Sequence, residues 1–191
     1  MKRIIVAITG ASGVIYGIRL LEQLNRAGVE THLVVSAAAG KTMELETAVS
    51  LEELAGKAGF FYRPGDLAAP PASGSFLHHG MVVAPCSMKT LAAIAHGYAE
   101  SLITRAADVT IKERRKLILL VRETPFSPLH LENMLTLARL GVVIMPPVPA
   151  FYHHPQTIED LVTQTIGRVL DHLEVEHDLL KRWPVEFTSL D

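Results

Sequence analysis

The residues best suited to chemistry in this 191-residue chain fall in short polar turns that follow apolar runs. Thr9-Gly10-Ala11-Ser12-Gly13 follows residues 4–8, Ser36 follows 31–35, and Pro85-Cys86-Ser87-Met88-Lys89-Thr90 follows 81–84. Arg122-Glu123-Thr124-Pro125 follows 117–121, and Pro146-Pro147 follows 142–145. Glycine, serine and threonine at a helix start present backbone N–H groups and hydroxyls, the donor set that holds a phosphate. A serine there also caps the helix with no ligand at all. Two such turns together with Ser36 point to a mononucleotide such as FMN. The first turn spaces its glycines as Gly10-x-x-Gly13-x-x-x-Gly17 rather than G-x-G-x-x-G, and Ser36 stands where a dinucleotide site places an acid, so NAD is disfavoured.

A second group is basic: Arg105, Lys112, Arg114, Arg115, Lys116 and Arg122, interleaved with Asp108, Glu113 and Glu123. Arg114, Arg115 and Lys116 read as a solvated helix end. Arg122 ends a run expected to be buried, where a guanidinium is costly unless a fixed anion meets it, so a phosphate or carboxylate is expected beside it. A third group, Phe151-Tyr152-His153-His154, lies in a turn stiffened by Pro146, Pro147, Pro149 and Pro155. On a helix Arg168 falls about 20° from Leu161, at the edge of an apolar stripe, and either reaches a site along the packed face or snorkels to solvent. The adjacent pairs His78-His79 and His153-His154 lack metal-ligand spacing, so no metal site is expected. For Cys86, the one cysteine, a structural place is expected over a nucleophilic one.

The elements that must position these groups are five strand-length apolar runs alternating with helical patterns at 13–25, 37–45, 51–57, 88–95, 129–140 and 158–173. That alternation predicts an α/β fold, a Rossmann-like three-layer sandwich with a mainly parallel sheet. Residues 59–75, with Pro64-Gly65, Pro70-Pro71 and Gly74, read as the longest irregular segment. The length suits a single domain over 1–191, closed by a helix and a tail. Hydrophobic residues at 49% and charged ones at 20% exclude disorder. A net charge of −2 lacks the basic excess of nucleic-acid binding. The longest apolar stretch, 140–151, is broken by prolines and falls short of the ~20 residues of a membrane span. Neither nucleic acid nor membrane is an expected partner, and a lone cysteine suits a reducing cytoplasm.

Six motifs in order, Thr9-Gly10-Ala11-Ser12-Gly13, Pro71-Ala72-Ser73-Gly74-Ser75, Pro85-Cys86-Ser87, Arg105-Ala106-Ala107-Asp108-Val109 with Lys112-Glu113-Arg114-Arg115, Arg122-Glu123-Thr124-Pro125 and Phe151-Tyr152-His153, together resemble the UbiX flavin prenyltransferases. The resemblance runs from Lys2 to about Trp183. It implies a metal-independent transfer of a dimethylallyl group from dimethylallyl monophosphate to reduced FMN, first onto N5 and then onto C6. The product, prenylated FMN, would serve a UbiD-type decarboxylase, with a place in ubiquinone biosynthesis. By the same resemblance Gly10, Ala11, Ser12, Ser36, Ser87, Met88, Lys89, Thr90 and Arg122 would hold FMN, although some relatives carry smaller residues at Met88-Lys89. Tyr152 and Arg168 would hold the substrate phosphate, aided by Arg105, Lys112 and Glu123. Glu46 and Ser12 would handle a proton, and Trp183 would help enclose the prenyl group, in its own or a neighbouring subunit of a homo-oligomer, a dodecamer in this family.

The residue types suit that chemistry: cations stabilise a departing phosphate, aromatic faces suit an allyl cation, and a Glu beside a Ser can relay a proton. Without the resemblance, Glu46 reads as a solvated helix end. The fold also resembles the homo-oligomeric flavin-containing cysteine decarboxylases. The alternatives are therefore an FMN-dependent decarboxylase of a cysteine-containing substrate and a non-catalytic flavin carrier. The first lacks a counterpart of that group's Met-Asn substrate clamp.

Overall fold

The computed structural model describes residues 1–180 and 182. Strands β1 (Arg3–Ile8), β2 (Glu30–Val35), β3 (Phe60–Tyr62), β4 (Gly80–Cys86), β5 (Leu117–Val121) and β6 (Val143–Ile144) form one sheet in the order β3-β2-β1-β4-β5-β6. Every neighbouring pair is parallel. The helices are α1 (Val14–Arg26), α2 (Ala37–Glu46), α3 (Leu51–Lys57), α4 (Met88–Ala95), α5 (Leu102–Lys112), α6 (Pro128–Arg139) and α7 (Ile158–Leu173).

Successive strand residues point to opposite faces. Ile4, Val6 and Ile8 of β1 enter a core shared with α1, α2, α3 and α7, while Ile5 and Ala7 enter a second core shared with α4, α5 and α6. Burial on both faces is why the strands read as unbroken apolar runs rather than alternating ones. The expected three-layer α/β sandwich is the observed one.

Three details differ from the sequence expectation. The segment 59–75 is not wholly irregular: it holds β3, a three-residue edge strand too short and exposed to show a pattern, and a 3-10 turn at Pro70–Ala72. The apolar run 142–145 pairs only over Val143 and Ile144. Helix α5 is anticipated only by a helix end placed at Arg114, Arg115 and Lys116, past its actual last residue Lys112, because Ile103, Thr104, Val109, Thr110 and Ile111 are β-branched and weaken a helical reading. It begins at a reciprocal Ser101–Thr104 capping box and buries Leu102, Ile103, Ala106, Ala107, Val109 and Thr110.

From β1 the chain builds outward to β2 and β3, then crosses to the other side of β1 for β4, β5 and β6. In open sheets of this order the crevice outside the carboxyl ends of the two central strands, here β1 and β4, is where ligands bind. Among the described residues, no helix is long and apolar enough to cross a membrane.

Candidate functional site

At that crevice the turns after β1, β2 and β4 meet in a cavity of about 740 Å³. Thr9 and Gly10 line it from the first turn, Ser36 from the second, and Ser87, Lys89 and Thr90 from the third. The turns are clamped together by Thr9, a buried threonine whose hydroxyl donates to the Pro85 carbonyl at 2.7 Å and accepts from the Ser87 N–H at 2.8 Å. Ser36 Oγ accepts from the Ala39 N–H at 3.1 Å and Ser87 Oγ from the Thr90 N–H at 3.3 Å, so both serines cap helices. Capping and cavity lining are thus the same placement rather than rivals. A Cβ at Gly10 would run into Ala38, which is why a glycine occupies the turn where β1 approaches the first turn of α2. Two helix N-termini, α2 and α4, with their hydroxyls on a cavity of ligand size form a donor set that fits a phosphate-bearing mononucleotide.

The rest of the wall comes from residues for which the sequence gives no expectation. His96, Tyr98 and Glu100 after α4, with Ser101, Ile103 and Thr104 at the start of α5, complete it. The capping box Ser101-x-x-Thr104 is the one sequence signal that marks this wall.

Beside the first turn lies a charged cluster. The N-cap residue of α1 is Gly13, left-handed at φ 98°, which has no side chain to accept a bond, and α1 has no acid in its first turn. Glu46 supplies the missing acceptor from the last residue of α2: its Oε2 accepts from the Gly13 N–H at 2.8 Å and the Val14 N–H at 3.2 Å. Burial raises the Glu46 pKa, but the Ser12 hydroxyl, the two N–H groups and the Arg122 charge outweigh it and hold the carboxyl below its ordinary value. Ser12 and Arg122 thus both act on the Glu46 carboxyl. Arg122 itself is exposed, contrary to expectation: its N–H still donates to the Cys86 carbonyl of β4 at 3.1 Å, but it stands just past the last residue of β5, Val121, where burial ends.

A second cavity, of about 230 Å³, is lined by Met145, Pro146, Val148, Ala150, Tyr152, Gln164, Thr165 and Arg168. Tyr152 and Arg168, expected to act together, share it. Arg168 is exposed and donates to Asp171 at 3.3 Å. Asp171 also takes bonds from both terminal nitrogens of Arg182 and lies 3.1 Å from His177 Nε2. The Arg182 hydrogen bond is the main cause of its depressed pKa, so it stays charged as the orienting partner of Arg168. Gln164 and Thr165 line this cavity without a sequence expectation; both are buried polar residues of α7, Gln164 on the side opposite the centre of its apolar stripe.

Other expected site residues fall elsewhere. Ala11 lies in the first turn with its N–H on the Thr9 carbonyl at 2.9 Å, outside the cavity lining. The half-buried Met88 side chain packs against the core on the α4 face, outside the cavity lining. Arg105 and Lys112 line neither cavity: Arg105 pairs with Asp108 at 2.8 Å and donates to the Ala72 carbonyl at 3.2 Å, and Lys112 pairs with Glu113. Glu123 accepts from the Thr124 N–H at 2.9 Å and is also outside both linings. Trp183 lies outside the described residues. Cys86 is fully buried and burial pushes its thiol pKa up, the opposite of an activated nucleophile. Among the described residues no group of three His, Cys, Asp or Glu side chains is arranged to hold a metal ion.

Comparison with known proteins places this geometry. The family model described as Flavoprotein matches residues 1–170. The chain is 55% identical over 184 residues to flavin prenyltransferase LpdB of Lactiplantibacillus plantarum, covering 96% of this chain and 98% of that one. It is also similar to a crystal structure of AnUbiX (PadA1) in complex with FMN and dimethylallyl pyrophosphate, with a TM-score of 0.95 at 49% identity over 97% of this chain and 99% of the other. A dodecameric FMN-dependent UbiX-like decarboxylase from Escherichia coli O157:H7 gives a TM-score of 0.93 at 52% identity over 95% and 99%.

Proposed function

The chain belongs to the flavin prenyltransferases of the Flavoprotein family, and from that premise we propose that its two cavities divide the reaction between a flavin and a prenyl phosphate. The larger cavity holds FMN and the smaller one receives the phosphate of a dimethylallyl donor. The observation that carries this reading is the meeting of three strand-end turns and two serine-capped helix N-termini on one cavity at the switch point of the sheet. Reduced FMN supplies the nucleophilic ring atoms that accept the dimethylallyl group.

The residues of the chain do the rest. The hydroxyls of Ser36, Ser87 and Thr90 and the N–H groups behind them hold the flavin's phosphate, and Arg122 adds a positive charge beside them. When the allylic carbon–oxygen bond breaks, the electron pair leaves with the phosphate. Arg168, held by Asp171, and the Tyr152 hydroxyl stabilise the charge that collects on its oxygens, an effect strongest in a site closed to water. Glu46, ionised at neutral pH and already bonded to Ser12, would take up through Ser12 the proton that C6 of the flavin must lose when the prenyl chain closes on it. Arg105 and Lys112 line neither cavity of their own chain; in this reading they face an adjoining copy in a homo-oligomer. The exposure of Lys112, the half-exposed position of Arg105 and the dodecameric relative support that assignment. A UbiD-type decarboxylase receives the product, and the enzyme works in the cytoplasm.

The test is anaerobic incubation with reduced FMN and dimethylallyl monophosphate, followed by mass spectrometry of the flavin. A flavin heavier by one prenyl unit is expected, with the monophosphate preferred over the pyrophosphate in a parallel reaction. Unchanged flavin mass from a preparation that binds FMN, beside an active control enzyme, would overturn the reading.

A further inference from the structure

Helix α7 packs by an apolar stripe of Val162, Ile166, Val169, Leu170 and Leu173, yet one residue within its buried set is an amide. Gln164 is only 7% exposed. A buried carboxamide is costly unless hydrogen-bonded, and an aliphatic residue would suit the helix better. Its side-chain Nε2 donates to the Tyr152 hydroxyl at 2.8 Å, across a separation of twelve residues. Tyr152 sits on the chain between β6 and α7, and its ring meets that of His153 edge-on. Gln164 also stands one helical turn before Arg168 on the same side of α7, and both line the small cavity with Tyr152.

We infer that Gln164 is a positioning residue for Tyr152: its amide fixes where the phenol oxygen stands relative to Arg168 and directs the phenol proton away from α7. A phenol has a single proton to give. With an amide N–H aimed at its oxygen, that proton goes to acceptors other than Gln164, and a phosphate oxygen is the acceptor the reaction brings into this cavity. Gln164 thus sets a donor and a cation one turn apart on one wall, a spacing suited to two oxygens of a single phosphate. The inference rests on the reading that Tyr152 and Arg168 hold the substrate phosphate.

The experiment is a double-mutant cycle with Gln164→Met and Tyr152→Phe in the full-length enzyme, measured with reduced FMN and dimethylallyl monophosphate. Methionine keeps the length and volume of glutamine and suits a buried position, so folding is preserved. Gln164→Met is expected to raise KM for the prenyl donor about tenfold, the loss of roughly one hydrogen bond, while the Kd for FMN changes by less than about twofold. In the Tyr152→Phe background the same change is expected to cost less than about twofold, because the bond it removes is already gone. Gln164→Glu, which turns the donor into an acceptor and captures the phenol proton, is expected to be at least as damaging as Gln164→Met. A tenfold cost that persists in the Tyr152→Phe background, or a Gln164→Met enzyme with unchanged KM, overturns the inference. A Tyr152→Phe enzyme with unchanged KM overturns the underlying phosphate reading instead.

Discussion

Replacing Glu46 by Gln separates two tasks that the structure gives to one carboxylate. In the folded chain it accepts from the Gly13 and Val14 N–H groups and faces the positive end of α1. Both N–H groups share Oε2, so the carbonyl oxygen of glutamine can keep both bonds, but as a neutral acceptor in place of a charged one. Weakening two charge-assisted bonds to neutral ones costs about 1 kcal/mol for a group as exposed as this one, and loss of the charge at the helix end costs about 0.3–1 kcal/mol. The total of about 1–2 kcal/mol corresponds to a fall in Tm of about 2–8 °C for a chain of this size. The charge-dependent part has a defined pH signature. The folded-state pKa of Glu46 is depressed, so its contribution is complete above the ordinary glutamate value of about 4.3 and is lost as pH falls through the lower folded value. Thermal unfolding of both proteins from pH 7 to pH 3 should show the gap in Tm narrowing below about pH 4.3 as the wild-type carboxyl protonates. A gap that stays constant through that range would refute the charge argument. On the chemical side the same substitution should lower turnover by a factor on the order of 10²–10⁴, the usual worth of a proton-transfer group, with FMN Kd within about twofold. Loss of FMN binding in parallel with turnover would mean that Glu46 serves only to cap α1.

Arg168→Ala should raise KM for the dimethylallyl donor at least about tenfold in steady-state assays and leave FMN titrations unchanged, since Arg168 lines only the smaller cavity. Gly17→Ala should lower Tm by several degrees, because the added Cβ meets the Ala84 carbonyl oxygen and Ile8 at 2.7 Å. Backbone cannot yield there without moving α1 off the sheet, at a cost of about 1–3 kcal/mol. Gly74→Ala should cost far less in the same scan, since its neighbours are the flexible ends of Glu113 and Lys112. Cys86 should resist a thiol-reactive dye at pH 8 until denaturant is added, because it is fully buried and its thiol pKa is raised.

The sheet and the larger cavity were legible in the sequence for one physical reason: strands covered on both faces leave no room for polar residues, so the first glycine, serine or threonine after each run marks the strand end. Thr9, Ser36 and Ser87 are found in this way, and the switch point gathers them. Arg122 shows the limit of the same rule, since burial of β5 ends at Val121 and says nothing about the residue after it. What one chain segment cannot reveal is a pairing between segments that are each locally mismatched. An acid at the end of α2 opposes that helix's dipole, and a glycine N-cap leaves α1 without an acceptor; each looks like a small defect in isolation. Joined through Glu46 and Gly13, the two defects cancel, and the carboxylate that results is held ionised beside Ser12 and Arg122. Gln164 follows the same logic, being a costly residue to bury on α7 until Tyr152, from a loop with no regular structure, supplies a partner. Residues that fit their own element badly and are satisfied only by a distant one are therefore where the chemistry of this fold should be sought.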